Sequence, residues 1–120
     1  METKDVLTAL SALAHETRLA IFRLLVEIGP EGLPVGKIGE RLSTPPTTLS
    51  FHLKELANAD LVLMRHDGRF IYCSANFAMM NGLLAYLIEN CCGRGTAFVP
   101  CCVPAPHPAE GEAYGTTNTR

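Results

Sequence analysis

The stretch Ser43-Thr44-Pro45-Pro46-Thr47-Thr48-Leu49-Ser50-Phe51-His52-Leu53-Lys54-Glu55-Leu56 decides the fold. Thr44 is a good N-cap, Pro45 suits the first helical position, and neither proline removes a hydrogen bond that a first turn would make. The helix predicted from there to about Ala59 buries Leu49, Leu53 and Leu56 on one stripe. It leaves Thr47, Thr48, Ser50, Phe51, His52, Lys54 and Glu55 on the rest of its surface. Just before it, residues 35–42 form a short helix weakened by Gly36 and Gly39. A weak helix, a short turn and a better-capped helix make a helix-turn-helix.

Upstream, Val6, Leu7, Leu10, Leu13 and Ala14 recur at helical spacing over residues 5–14. A second helix over residues 16–28 places Leu19, Phe22, Leu25 and Ile28 on one face and stops at Gly29-Pro30, with residues 31–34 as a loop. Downstream the period changes. Leu61-Val62-Leu63-Met64-Arg65 and Phe70-Ile71-Tyr72-Cys73-Ser74 are β-prone runs about His66-Asp67-Gly68-Arg69, and Asp-Gly between such runs predicts a hairpin. Asn76 caps a last helix from 77 to about 91. Met79, Met80, Leu83, Leu84, Leu87 and Ile88 make that helix apolar over more than one stripe, so it needs a partner. The predicted fold is mainly α with a β-hairpin wing, a winged helix-turn-helix forming a homodimer. Residues 1–92 make the DNA-binding and dimerisation domain, and 93–120, broken by Gly and Pro, make a flexible tail.

With 120 residues, 48% of them hydrophobic, the chain has room for one folded domain. A net charge of -2 excludes a protein that coats nucleic acid by charge alone. Over residues 37–69 the bases Lys37, Arg41, Lys54, Arg65 and Arg69 barely outnumber the acids Glu40, Glu55, Asp60 and Asp67. Any contact with double-stranded DNA therefore leans on placed side chains. Thr47, Thr48, Ser50 and His52 are expected toward base edges, and Lys54, Arg65 and Arg69 toward phosphates. For each residue alone, a solvated helix face explains it as well; the set with the wing favours DNA. No apolar run of membrane-spanning length and no leader pattern appear, so a soluble, cytoplasmic protein without membrane partners is expected. In that compartment five cysteines act as thiols or ligands rather than as a disulfide framework.

The segments Ala14-His15-Glu16-Thr17-Arg18-Leu19-Ala20-Ile21-Phe22-Arg23-Leu24-Leu25, Thr48-Leu49-Ser50-Phe51-His52-Leu53-Lys54-Glu55-Leu56 and Ala59-Asp60-Leu61-Val62, with the hairpin after them, resemble the ArsR/SmtB family of metal-responsive transcriptional repressors. The resemblance covers roughly residues 5–91. It implies a homodimeric winged helix with the first and last helices at the interface, which holds its operator when metal-free and lets go when loaded. Two inducer sites used by other members are absent. Residues 35–42 hold no Cys or His, and residues 77–90 hold no His and only Glu89 as an acid. What is left resembles the arsenite-responsive branch, with an adjacent Cys pair at the end of the last helix and one Cys further on.

Cys91-Cys92 and Cys101-Cys102 put four thiols within twelve residues. Trivalent arsenic or antimony accepts three thiolates in a pyramid, so thiols without His or carboxylate suit arsenic(III) or Sb(III) better than zinc. Four thiolates could instead hold Zn, Cd or Pb, and a redox or persulfide sensor could use Cys73 or either pair. A metal buffer that never binds DNA is a further alternative, disfavoured because it has no use for cations at a hairpin tip. Cys73, alone on a strand, reads as a small buried hydrophobe. His15 reads as a cap or interface group, His66 as solvated, and His107 has no partner at ligand spacing. No nucleophile-base pair or phosphate loop is present, so no enzymatic activity is expected.

Overall fold

A computed structural model of the protein describes residues 1–93. The elements run α1 (Thr3–Leu13), α2 (Glu16–Ile28), β1 (Leu33–Pro34), α3 (Val35–Leu42), α4 (Pro46–Asn58), β2 (Val62–Asp67), β3 (Phe70–Ala75) and α5 (Phe77–Ile88), then a 3-10 turn at Cys91–Gly93. Met1–Leu87 form one compact unit, and the described residues that follow belong to a second.

Helical spacing puts Val6, Ala9 and Ala12 of α1 and Ile21, Phe22 and Leu25 of α2 into a shared core with Ile38, Leu49, Leu53 and Leu56. Leu61, Val62, Cys73 and Ala75 close it from the sheet side. Leu25, Leu56 and Leu61 are fully buried, each contributing about 1.5–3 kcal/mol relative to exposure. Truncating Leu56 to Ala would cost about 2–5 kcal/mol, because a cavity adds to the lost transfer energy.

Local chemistry sets the joints. His15 Nδ1 accepts from the Thr17 N–H at 3.2 Å, so His15 is the N-cap of α2. Asn76 works in both directions: its Oδ1 accepts from the Met79 N–H at 3.3 Å, and its Nδ2 donates to the Asp60 carbonyl at 2.9 Å. That side chain fixes the start of α5 against the turn that ends α4.

The sheet order is β1-β3-β2, antiparallel throughout. The expected loop at residues 31–34 contains β1, with Leu33 opposite Cys73 and Pro34 opposite Tyr72. Two residues carry no readable period, and the approach depends on Gly32. Its φ is +75°, and a Cβ there would lie 2.4 Å from the Cys73 carbonyl oxygen. The hairpin turn also differs by one residue. Asp67 pairs with Phe70, so the turn residues are Gly68 and Arg69, with Gly68 at φ +63° in the first position as a type II′ turn requires. Arg69 thereby stands at the tip.

Two helix boundaries differ from expectation. Thr44 does not cap α4: Pro45 is the N-cap residue, Pro46 takes the first helical position, and the Thr44 hydroxyl donates to the Leu42 carbonyl at 3.1 Å. The second proline tolerates the first helical position as well as the first would, and Thr44 finds its acceptor behind it. α5 ends at Ile88, and Asn90 follows in the left-handed region at φ 60°, a conformation asparagine tolerates. No helix of the described residues is long and apolar enough to cross a membrane.

Candidate nucleic-acid interface

The turn between α3 and α4 is built by backbone. Ser43 leaves α3 in the left-handed region, φ 51° and ψ 44°, and the Thr44 N–H donates to the Gly39 carbonyl at 3.0 Å. A Cβ on Gly39 would meet the Thr44 carbonyl oxygen at 3.2 Å and Leu49 Cδ2 at 3.4 Å, so the glycine lets the two helices cross closely. The glycine that weakens α3 as a helix thus makes the motif compact.

From this turn α4 projects one polar face. Thr47, Thr48, Ser50 and Lys54 are exposed, and Phe51 stands among them 55% exposed. Ser50 and Lys54 line one groove with Arg69 of the wing, alongside Met64, Phe70 and Ile71. Arg65 is exposed on β2, directly opposite Tyr72 on β3, with its guanidinium 4.8 Å from that ring's centroid. The stack holds the guanidinium against the Tyr72 ring on the exposed face of the hairpin.

His52 does not belong to this face. It is 6% exposed and points into the protein, a correction to its expected place toward the bases. The signal was in the spacing: position 52 is three residues after Leu49 and four before Leu56, inside the buried stripe rather than beside it. Arg18 Nε donates to His52 Nδ1 at 3.1 Å, and the ring lies 4.6 Å from that of His15, centroid to centroid. Burial pushes the His52 pKa down, and His15 and Arg18 push it the same way against a smaller pull from Glu55. Arg18 also lies over the Phe51 ring, 5.6 Å from its centroid. Neither Arg18 nor Phe51 stood out as functional in the sequence, since their partner lies 34 residues from Arg18.

Cys91 and Cys92 follow α5 with their Sγ atoms 3.5 Å apart, Cys91 half-buried and Cys92 exposed. Adjacent helical residues diverge by about 100°, but Cys92 has left the helix at φ 59°. Cys101, Cys102, His107 and the rest of the expected tail lie outside the described residues. Among those described, no three His, Cys, Asp or Glu side chains cluster as a metal site. Cys73 is fully buried, and desolvation raises its thiol pKa to about 11, which makes it a poor ligand or sensor.

Residues 13–65 match a helix-turn-helix domain family. The helix-turn-helix-type transcriptional regulator YceK of Bacillus subtilis strain 168 is 44% identical over 63 residues, 52% of this chain and 62% of that protein. The match therefore spans less than two thirds of that curated relative. An ArsR-like transcriptional regulator from Rhodococcus sp. RHA1 superposes with a TM-score of 0.61 at 25% identity, over 70% of this chain and 76% of its own. The homodimeric winged helix-turn-helix DNA-binding domain of Mb0332 from Mycobacterium bovis, a possible ArsR-family regulator, gives 0.60 at 26% identity, over 71% and 77%.

Proposed function

The chain belongs to the ArsR family of winged helix-turn-helix transcriptional regulators, and from that premise we propose that it is a homodimeric repressor. It holds double-stranded operator DNA and releases it when arsenite or a related soft trivalent species is bound by Cys91, Cys92 and a thiol of the pair Cys101 and Cys102. The observation that carries the inducer reading is the adjacent pair at 3.5 Å Sγ to Sγ, close enough for both sulfurs to serve one ion. α3 and α5 offer no competing set of soft ligands. Three thiolates without imidazole or carboxylate fit a pyramidal trivalent ion, which supplies strong bonds to sulfur and no redox step.

On the DNA side, Thr47, Thr48 and Ser50 offer short hydroxyls to base edges, while Lys54, Arg65 and Arg69 offer cations to the backbone. Drawing Cys101 or Cys102 toward Cys91 and Cys92 loads the end of α5. In a dimer built through that helix, this alters the spacing of the two α4 helices. Gel-shift on the protein's own upstream region, with arsenite, antimonite, Cd²⁺, Zn²⁺ and a thiol oxidant in turn, tests the reading. Release by arsenite and antimonite at concentrations where the others do nothing supports it. Release by Cd²⁺ or Zn²⁺ alone points to four thiolates, and release by oxidant alone to redox sensing.

A further inference from the structure

His52 is the one buried polar or charged side chain among the described residues, and it sits on the helix that presents the DNA-reading face. A buried imidazole is retained only where its polar atoms find partners. Its Nδ1 accepts from Arg18 Nε at 3.1 Å. The same guanidinium lies against the ring of Phe51, the next residue along α4 and part of the exposed face. The His15 ring packs against His52 as well, while its own Nδ1 caps α2. One arginine of α2 thus touches both an inward and an outward residue of α4.

We propose that Arg18 and His52 are positioning residues for DNA recognition: their hydrogen bond, with Arg18 against Phe51, fixes the rotation of α4 relative to the start of α2, and it forms only while His52 is neutral. An imidazolium carries N–H on both nitrogens, so protonation would set a donor against the Arg18 donor and a cation against a cation. The groups facing His52 are His15 and Arg18 from the α2 side and Glu55 on α4 itself. α1 brings Thr8 and Ser11, without charge, to the crevice beside Arg18 and Glu55. One acid against two basic neighbours does not hold a proton there. Acidification therefore releases Arg18 and loosens α4.

The inference rests on the DNA-binding reading, and its sign sets it apart from ordinary electrostatics. Added positive charge on an exposed surface strengthens contact with a polyanion, whereas this device weakens it. The test is operator affinity of the full chain on its own upstream DNA at pH 7.5 and pH 5.0, at constant ionic strength, for wild type, His52→Asn, Arg18→Ala and His15→Asn. Asparagine places a carbonyl oxygen near the Nδ1 position and does not titrate. Wild type should bind more weakly at pH 5.0 than at pH 7.5, because only the neutral imidazole accepts from Arg18. His52→Asn should bind within about twofold of wild type at pH 7.5 and lose the acid dependence. Arg18→Ala should already be weak at pH 7.5 and flat. His15→Asn, which keeps a capping side chain, should retain the acid loss. Nitrogen NMR of the DNA-free chain reads the same device directly, with Nδ1 of His52 unprotonated at pH 7.5. An acid loss that survives in His52→Asn, equal or tighter wild-type binding at pH 5.0, or a protonated Nδ1 would overturn the proposal. Absence of wild-type binding at pH 7.5 would instead defeat the DNA-binding reading itself.

Discussion

Ser50 and Arg69 line the same groove yet should fail differently when removed. Ser50→Ala should cost about 1–3 kcal/mol on the preferred operator and relax base preference, because a base-edge hydrogen bond carries sequence information. Arg69→Ala should weaken all sequences alike and lower the salt slope by about 1, because it removes one phosphate contact. Titrations on matched and scrambled DNA at several salt concentrations separate the two, and equal loss of specificity would contradict the division. His52 carries a second consequence at this scale, on stability. Its folded-state pKa is depressed below the ordinary 6.5, so the unfolded chain takes up the proton first as pH falls. Stability is then fully present above about pH 6.5 and is lost as pH falls from there through the folded-state pKa. Melts of the DNA-free protein should show a midpoint that drops below pH 6.5, less so in His52→Asn. The exposed hydroxyls of α4 were legible because a helix with Leu49, Leu53 and Leu56 inside must show Thr47, Ser50 and Lys54 outside. His52 was misread because a histidine in a DNA-binding pattern was weighed by its chemistry, although its position put it in the stripe.

At the level of elements, α5 is the piece whose surroundings are incomplete within one chain. Leu84 and Leu87 are 52% and 54% exposed while Leu83 is buried, and Leu7 of α1 is 60% exposed. Two helices with large apolar side chains in water present the face that the second copy of the proposed homodimer would cover. Leu87→Asp should therefore yield monomer in sedimentation velocity, with far-UV circular dichroism retained if the monomer folds alone. A well-folded dimer would remove the argument. This face was legible because apolar residues on every side of a short helix cannot all be buried in a domain this small. β1 was not legible. Two residues have no alternation to read, and their pairing depends on backbone approach at Gly32, which no side-chain pattern encodes. The cap of α4 was misassigned for a related reason, since two successive prolines allow two registers and only tertiary contacts choose.

For the whole molecule, the proposed inducer and operator would be coupled reciprocally, and a coupling of about 1–3 kcal/mol would be ordinary. Replacing Cys91 or Cys92 by Ser should leave operator affinity intact and abolish release by arsenite. Replacing Cys101 and Cys102 together should do the same, and Cys73→Ser should be silent. Gel-shifts with graded arsenite check this, and unchanged release from a protein lacking both Cys91 and Cys92 would place the site elsewhere. The proposed donor set rests on residue type and proximity in the chain; how thiols would move a distant helix is not written in any local pattern. The sheet order has a consequence of a different kind. Among the described residues β2 is an outer strand, and an outer edge offers peptide groups on which another molecule's strand could be added. Leu63 and Met64 on it are exposed and adhesive, while Arg65 and Asp67 supply the charge that discourages such stacking. The charged residues of this strand would thus guard colloidal stability besides the phosphate contacts proposed for the wing cations. A protein carrying Arg65→Val with Asp67→Val should scatter light increasingly with concentration, and its weakened operator binding would then reflect lost monodispersity as much as lost charge.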